Sequence, residues 1–221
     1  MVSRYHGVVG PVPTQLHEDE DLEYICPTVE PIIVGIASTI AAGRTTAINH
    51  LVTRYGFRVF SLAQMLKELA IPRGIPLLRG RLQEFGSCLR ETRGDEYLAV
   101  RLRMSREWLA SPSAIVVVDS IKHQAEVDEF RRKQKSFRLL GIDAPPELRW
   151  RRMQQRHRSG DPESYEDFLR QDAINNGSDD APHGQQVRQL LRNADKLISN
   201  SGTIEEFLQN IDEAVGNWLY A

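Results

Sequence analysis

Only two cysteines occur in the 221 residues, Cys26 and Cys88, and neither has a CxxC partner. That shortage excludes a disulfide framework, argues against a cysteine zinc site and makes a reducing compartment the expectation. No run of about 18 apolar residues exists, so a spanning helix is not expected and no membrane partner is implied. The N-terminus lacks the charged-then-apolar order of a secretory signal. A cytoplasmic protein is therefore the reading. The net charge of −2 gives no global excess of positive charge that would point to nucleic acid. His6, His17, His50, His123, His157 and His183 show no metal-ligand spacing, and satisfied or solvated histidines are the plainer account.

What is present is ordinary globular material. The chain is 41% apolar and 26% charged, and its length suits one sizeable α/β domain better than two. Charge is uneven along it. Residues 1–30 hold six acids and one arginine, a net −5, which leaves +3 on the remainder. With three prolines and the run His17-Glu18-Asp19-Glu20-Asp21, this stretch reads as an acidic tail without a core of its own. It is either a solvated leader or an arm for a protein partner. The domain is expected to occupy 31–221.

From Pro31 onward, short apolar runs alternate with helical patterns. Ile32 to Ile36 has the β-branched content of a buried strand. A helix follows from about Arg44, with Ala47, Ile48, Leu51, Val52 and Tyr55 on one face and Gly56 as its stop. Phe57–Phe60, Ala114–Val118, Phe137–Ile142 and Lys196–Ser199 are further strands. Helical segments fill Ser61 to about Trp108, broken near Pro72–Pro76. Thr203-Ile204-Glu205-Glu206 is a capping box opening the last helix. The alternation predicts a five-stranded, mainly parallel sheet with helices on both faces. Ligands of such sheets sit at the strands' carboxyl ends, where Ser38–Thr46, Ser61, Asp119 and Asp143 fall.

Directly after the first strand comes Ser38-Thr39-Ile40-Ala41-Ala42-Gly43-Arg44-Thr45-Thr46. A strand–loop–helix of this length aims backbone N–H groups and a helix dipole at a bound anion. The pattern GxxxxGK[ST] is half met: Gly43 and Thr45 fit, while Ser38 replaces the first glycine and Arg44 the lysine. On its own this is also what an unspecialised strand–turn–helix with a chance Gly-Arg-Thr would give. Asp119 ends an apolar run and has the form of a Walker-B carboxylate for Mg²⁺, although an acid there also suits a helix cap.

Beyond the loop, the span from Ile32 to about Val215 resembles adenylate-kinase-like P-loop kinases. The likeness is to the group related to deoxynucleoside-monophosphate kinases and dephospho-CoA kinases. That group reads GTIGAGKGT where this chain has STIAAGRTT. YGFRVFSLAQMLKELA, RGRLQEFGSCLRETRGDEYLA, VVVDSIKHQAEVDEFRR, IDAPPELRWRRMQQRHRSGDPESYEDFLRQD and ADKLISNSGTIEEF are similar to its successive segments, in the same order.

The resemblance implies a P-loop nucleotide-kinase fold, with a helical acceptor region at about 61–110 and a lid at about 149–175. It implies ATP and Mg²⁺. Ser38, Ala42, Gly43, Arg44, Thr45 and Thr46 would bind the donor, and Thr45 and Asp119 the metal. Ser61, Gln83, Arg90 and Lys122 would meet the acceptor, with Arg90 on its phosphate. Lys122 stands where the group usually has arginine, which keeps the charge but loses the bidentate fork. Arg149, Arg151, Arg152, Arg156 and Arg158 crowd ten residues, as a solvated face would, or as a lid that neutralises a transferring phosphoryl group. Arg152 and Arg156, at i and i+4, are the pair placed with Arg44 and Asp119 in catalysis. The implied activity is ATP-dependent phosphorylation of a nucleoside or deoxynucleoside monophosphate. A nucleotide-binding regulator or assembly subunit with an impaired loop is the alternative, and another small acceptor such as dephospho-CoA the third. The partner is a nucleotide, with a homodimer or a protein on the acidic tail as further options.

Overall fold

The structure, a computed structural model, describes residues 32–111, 115–156, 160–177 and 181–219. The acidic tail, Ala114 and Arg158 lie outside the described residues.

β1, Ile33–Ser38, is buried at every position. Its alternation feeds two cores. Ile33 and Ala37 pack with Leu62, Leu98 and Phe130, whereas Val34 and Ile36 pack with Leu51, Leu140 and Phe207. A strand covered on both faces must be apolar throughout, which is why its sequence shows a run instead of an alternation. β2 (Arg58–Ser61), β3 (Val116–Asp119), β4 (Phe137–Asp143) and β5 (Lys196–Ser199) complete the sheet. The order is β2-β3-β1-β4-β5, and every neighbouring pair is parallel. The chain leaves β1 in one direction and later returns past it in the other, so a crevice opens at the carboxyl ends of β1 and β3.

The helices are, in chain order, α1 (Arg44–Tyr55), α2 (Leu62–Ala70), α3 (Arg79–Arg93), α4 (Tyr97–Arg103), α5 (Arg106–Leu109), α6 (Gln124–Lys133), α7 (Pro146–Arg156), α8 (Tyr165–Asn176), α9 (Val187–Arg192) and α10 (Ile204–Leu219). A 3₁₀ turn, Ile71–Arg73, fills the expected break after α2. α1 stops at Gly56, whose φ of 75° lets its N–H reach back to the carbonyls of Leu51 and Val52. One residue of the α1 stripe is corrected: Ala47 and Leu51 are buried, but Val52 is 38% exposed. Val52 does not join the core in which Ala47, Ile48, Leu51 and Tyr55 pack with residues of α10. The box at Thr203 is formed. Glu206 accepts from the Thr203 N–H at 2.9 Å, and Thr203 Oγ1 accepts from the Glu206 N–H at 3.2 Å. Phe207 behind it is buried, contributing about 1.5–3 kcal/mol.

α1 and α10 supply the core on one face of the sheet; α2, α4 and α6 supply most of it on the other. α7 and α8 form an outlying pair around Met153 and Phe168, with Trp150 and Tyr165 against them and Ile40 of the β1–α1 loop beneath. Ser164 caps α8 by accepting from the Asp167 N–H at 3.1 Å. This third, smaller core fixes the pair beside the loop rather than on the sheet.

Candidate functional site

The loop Thr39–Gly43 is held from several sides. Thr39 Oγ1 donates to Asp143 Oδ1 at 2.6 Å, and Asn200 Nδ2 donates to the Ala42 carbonyl at 2.8 Å. Gly43 has φ 109°, and a Cβ on it would lie 2.3 Å from Asn200 Nδ2, so no other residue fits without displacing that clamp. Ala41 adopts φ 61° despite its Cβ, a conformation costing about 1–2 kcal/mol. Strain of this kind gathers where a backbone shape is needed for binding. No side chain caps α1, which leaves its first N–H groups facing the loop's hollow.

Two cations lie beside the loop after β3. Arg44 does not curl over the Thr39–Gly43 loop. Its Nη1 donates to Ser120 Oγ at 2.6 Å, and its Nε lies 3.1 Å from Asp119 Oδ1. The second contact is close but misaligned, because Asp119 Oδ1 is buried without a hydrogen bond. We therefore read it as charge pairing and not as a directed bond. Ser120 is itself strained, with φ 67°. Ser61, which caps α2, donates to Asp119 Oδ2 at 3.2 Å. Lys122 comes from the loop after β3. Its Nζ donates to Asn175 Oδ1 at 2.7 Å and lies 3.4 Å from the Ser38 carbonyl. Desolvation first, and the Arg44 charge second, push its pKa down to about 7.

These groups share a cavity of about 1010 Å³. Its wall includes all of Ser38–Thr46, with Gln83 and Arg90 from α3, Lys122, and Arg152 and Arg156 from α7. Eleven sequence-predicted residues thus meet in one hollow. Asp119 and Ser61 are not on its wall. Asp119 is reached through Arg44 and Ser120, and Ser61 lines a separate depression of about 1050 Å³ along β2 and α4, with Phe60, Met65 and Tyr97. That depression holds none of the loop residues.

Inside the cavity, several buried polar atoms have no partner. Arg90 is 4% exposed; its Nη1 donates to the His183 carbonyl at 3.2 Å and its Nη2 lies 3.7 Å from Glu126 Oε1, but Nε has no partner. Arg152 Nη2 donates to Asn200 Oδ1 at 3.1 Å while Nη1 is unpartnered, and burial lowers its pKa. Asn175 Nδ2 is likewise unpartnered. A buried donor without an acceptor costs about 1–3 kcal/mol, so a cluster of them calls for a ligand rich in oxygen. Arg156 is engaged by Asp161, at 2.8 and 2.7 Å, and Asp161 also meets Arg79 at 3.2 Å.

Of the two residues that the resemblance gives to Mg²⁺, Thr45 is on the cavity wall and Asp119 is not. Among the described residues no group of three or more His, Cys, Asp or Glu stands ready for a metal. Asp119 Oδ1 is 3.1 Å from Arg44 Nε, so a Mg²⁺ at the loop would be held mostly by phosphate and water, with the Thr45 hydroxyl beside them. Sequence reasoning missed Asn175, Gln185 and Asn200, which carry no spacing signal, and the buried role of Arg149. Arg149 clamps Asp172 at 2.6 and 2.8 Å and donates to the Ala144 and Ile40 carbonyls.

A parallel sheet in this order, with a loop and helix at its switch point, defines the fold of the small P-loop kinases. The chain aligns with TT1252 from Thermus thermophilus (TM-score 0.51, 24% identity, covering 87% of this chain and 100% of that one). It also aligns with shikimate kinase from Bacteroides thetaiotaomicron (TM-score 0.50, 12% identity, 84% and 98%). No family model matches the sequence. Curated relatives are clearer. The UPF0200 protein PH1008 of Pyrococcus horikoshii is 31% identical over 168 residues, spanning 75% of this chain and 87% of its own. A UPF0200 protein of Pyrococcus abyssi is 29% identical over 171 residues, spanning 76% and 87%. The chain belongs to the UPF0200 family. Among the described residues no helix is long and apolar enough to cross a membrane.

Proposed function

We propose that this protein is an ATP- and Mg²⁺-dependent phosphotransferase acting on a nucleoside or deoxynucleoside monophosphate. The observation that supports the reading is the single cavity. It joins a clamped phosphate loop and the uncapped start of α1 to Arg90, with unpartnered donors on its wall. ATP with Mg²⁺ supplies an activated phosphoryl group. An oxygen of the acceptor phosphate bonds to the γ-phosphorus as the bond to the bridging oxygen breaks, and ADP leaves with that electron pair. Such a reaction needs positioning and neutralisation of charge more than a strong base. The first amides of α1 and the Gly43 N–H hold donor phosphates, Arg90 orients the acceptor phosphate, and Arg152 adds positive charge beside the transferring group. The apolar wall of Leu62, Leu66, Leu82 and Leu98 excludes water around the acceptor.

One observation favours a second reading. Arg44 is committed to Ser120 and Asp119, as it would be in a protein that binds nucleotide but transfers slowly. An ADP-release assay across nucleoside monophosphates, deoxynucleoside monophosphates and dephospho-CoA separates these readings. Acceptor-dependent release with a monophosphate is expected. Calorimetric binding of ATP·Mg²⁺ without release from any acceptor would establish the second reading instead. Arg90→Ala should weaken acceptor binding by about 1.5–3 kcal/mol while ATP affinity stays within a few-fold. Equal loss for both ligands would make Arg90 structural.

A further inference from the structure

The loop's usual lysine has a particular task, which is to bring a compact ammonium to the outer phosphates. Arg44 occupies its place in the chain, but its head lies against Ser120 and Asp119. The ammonium found at the loop is that of Lys122, 3.4 Å from the carbonyl of Ser38, the last residue of β1. Its backbone is fixed at both ends: its N–H donates to Glu126 Oε2 at 2.8 Å, and its carbonyl accepts from the Gln186 N–H at 2.7 Å. Asn175 stands beside it, 2% exposed. In its ammonium form, the form an anion would select, Lys122 offers only N–H, and its Nζ donates to the Asn175 oxygen, which turns the Asn175 NH₂ group away. That NH₂ group has no partner, and Asn175 lines the cavity. Two donors on rigid supports, one of them buried and unsatisfied, thus converge beside the loop.

We propose that Lys122 and Asn175 form the anion subsite for the outer phosphate of a polyphosphate ligand, and that Arg44 serves as the counter-ion of Asp119. The cationic task of the phosphate loop has moved from the residue after Gly43 to the loop after β3. Asn175, from the α7–α8 pair, makes the subsite dependent on the seating of that pair. The assignment deepens the phosphotransfer reading and rests on it for the ligand's identity, though not for the existence of the subsite.

The experiment is calorimetry with inorganic tripolyphosphate and, separately, ATP, each with Mg²⁺, on the full chain and three variants. Lys122→Met should weaken tripolyphosphate at least tenfold, and by clearly more than Arg44→Met does. Asn175→Asp keeps the oxygen that faces Lys122 but replaces the free donor with a negative acceptor, so it too should lose at least tenfold while melting no lower than the unmodified chain. Loss confined to Arg44→Met, or full affinity in Asn175→Asp, overturns the assignment. Tripolyphosphate binding with the expected pattern, but no ATP binding, keeps the subsite and removes the nucleotide reading. Failure of the unmodified chain to bind either ligand overturns both.

Discussion

Lys122 shows how a buried cation on the cavity wall opposes stability. Burial lowers its pKa from 10.5 to about 7, so the folded protein favours the neutral amine. Between those values the unfolded chain holds a proton that the folded one lacks, and stability rises with pH through that window. Below about pH 7 the cost is present in full. Each tenfold loss of proton affinity is worth about 1.4 kcal/mol, which sets an upper bound on the order of 5 kcal/mol. Lys122→Met should therefore stabilise the protein, most at pH 6 and least at pH 10, in urea denaturation at fixed ionic strength. A gain independent of pH would mean that packing and not charge is responsible. A polyphosphate bound beside the amine would hold it protonated, offsetting the same cost with ligand binding.

At the scale of the helix, the arginine cluster of α7 separates into different jobs that its spacing did not reveal. Arg151 is exposed, Arg152 reaches the cavity, Arg156 is paired with Asp161, and Arg149 is 3% exposed beneath them. A 3.6-residue period tells which residues share a face, and so Arg152 and Arg156 were legible as a pair. It does not tell that Asp172, on the next helix, waits for Arg149. That partner is 23 residues away in a separate element, and only packing brings it near. Arg149 also lies 5.3 Å over the Phe168 ring and bonds to the Ile40 carbonyl, tying the α7–α8 pair to the phosphate loop. Breaking one side of such a buried pair typically costs about 3–5 kcal/mol, because the other charge is left alone. Arg149→Leu should lose stability of that order in denaturant titration, and Arg149→Leu with Asp172→Leu should recover much of it. Additive losses in the double variant would show that the pair is not coupled.

The whole molecule was legible in the sequence where local chemistry decides and obscure where distant ends meet. β5 begins and ends as expected, α1 begins at Arg44, and the Thr203 box opens α10, since each rests on local chemistry. The strand order, the seat of Arg44 against Asp119 and the distance between Asp119 and the cavity wall depend on tertiary packing, which no local pattern encodes. One long-range contact of this kind spans the cavity. Asp161, after α7, meets Arg156 of α7 and Arg79 of α3, and so joins the outlying pair to α3. α3 meets the sheet's cores only through Leu89 and Phe85, and α7 packs in the outlying core instead. Both helices line the cavity, so this contact bridges two parts of its wall. The contact is the joint expected to open. Asp161→Asn keeps the shape of the side chain but removes the charge that holds two guanidinium groups. Amide exchange in α3 and α7 should then speed up several-fold, while β1, β3 and β4, buried in both cores, exchange as before. Acceleration spread evenly over the sheet would show instead that Asp161 supports the global fold and is no local joint.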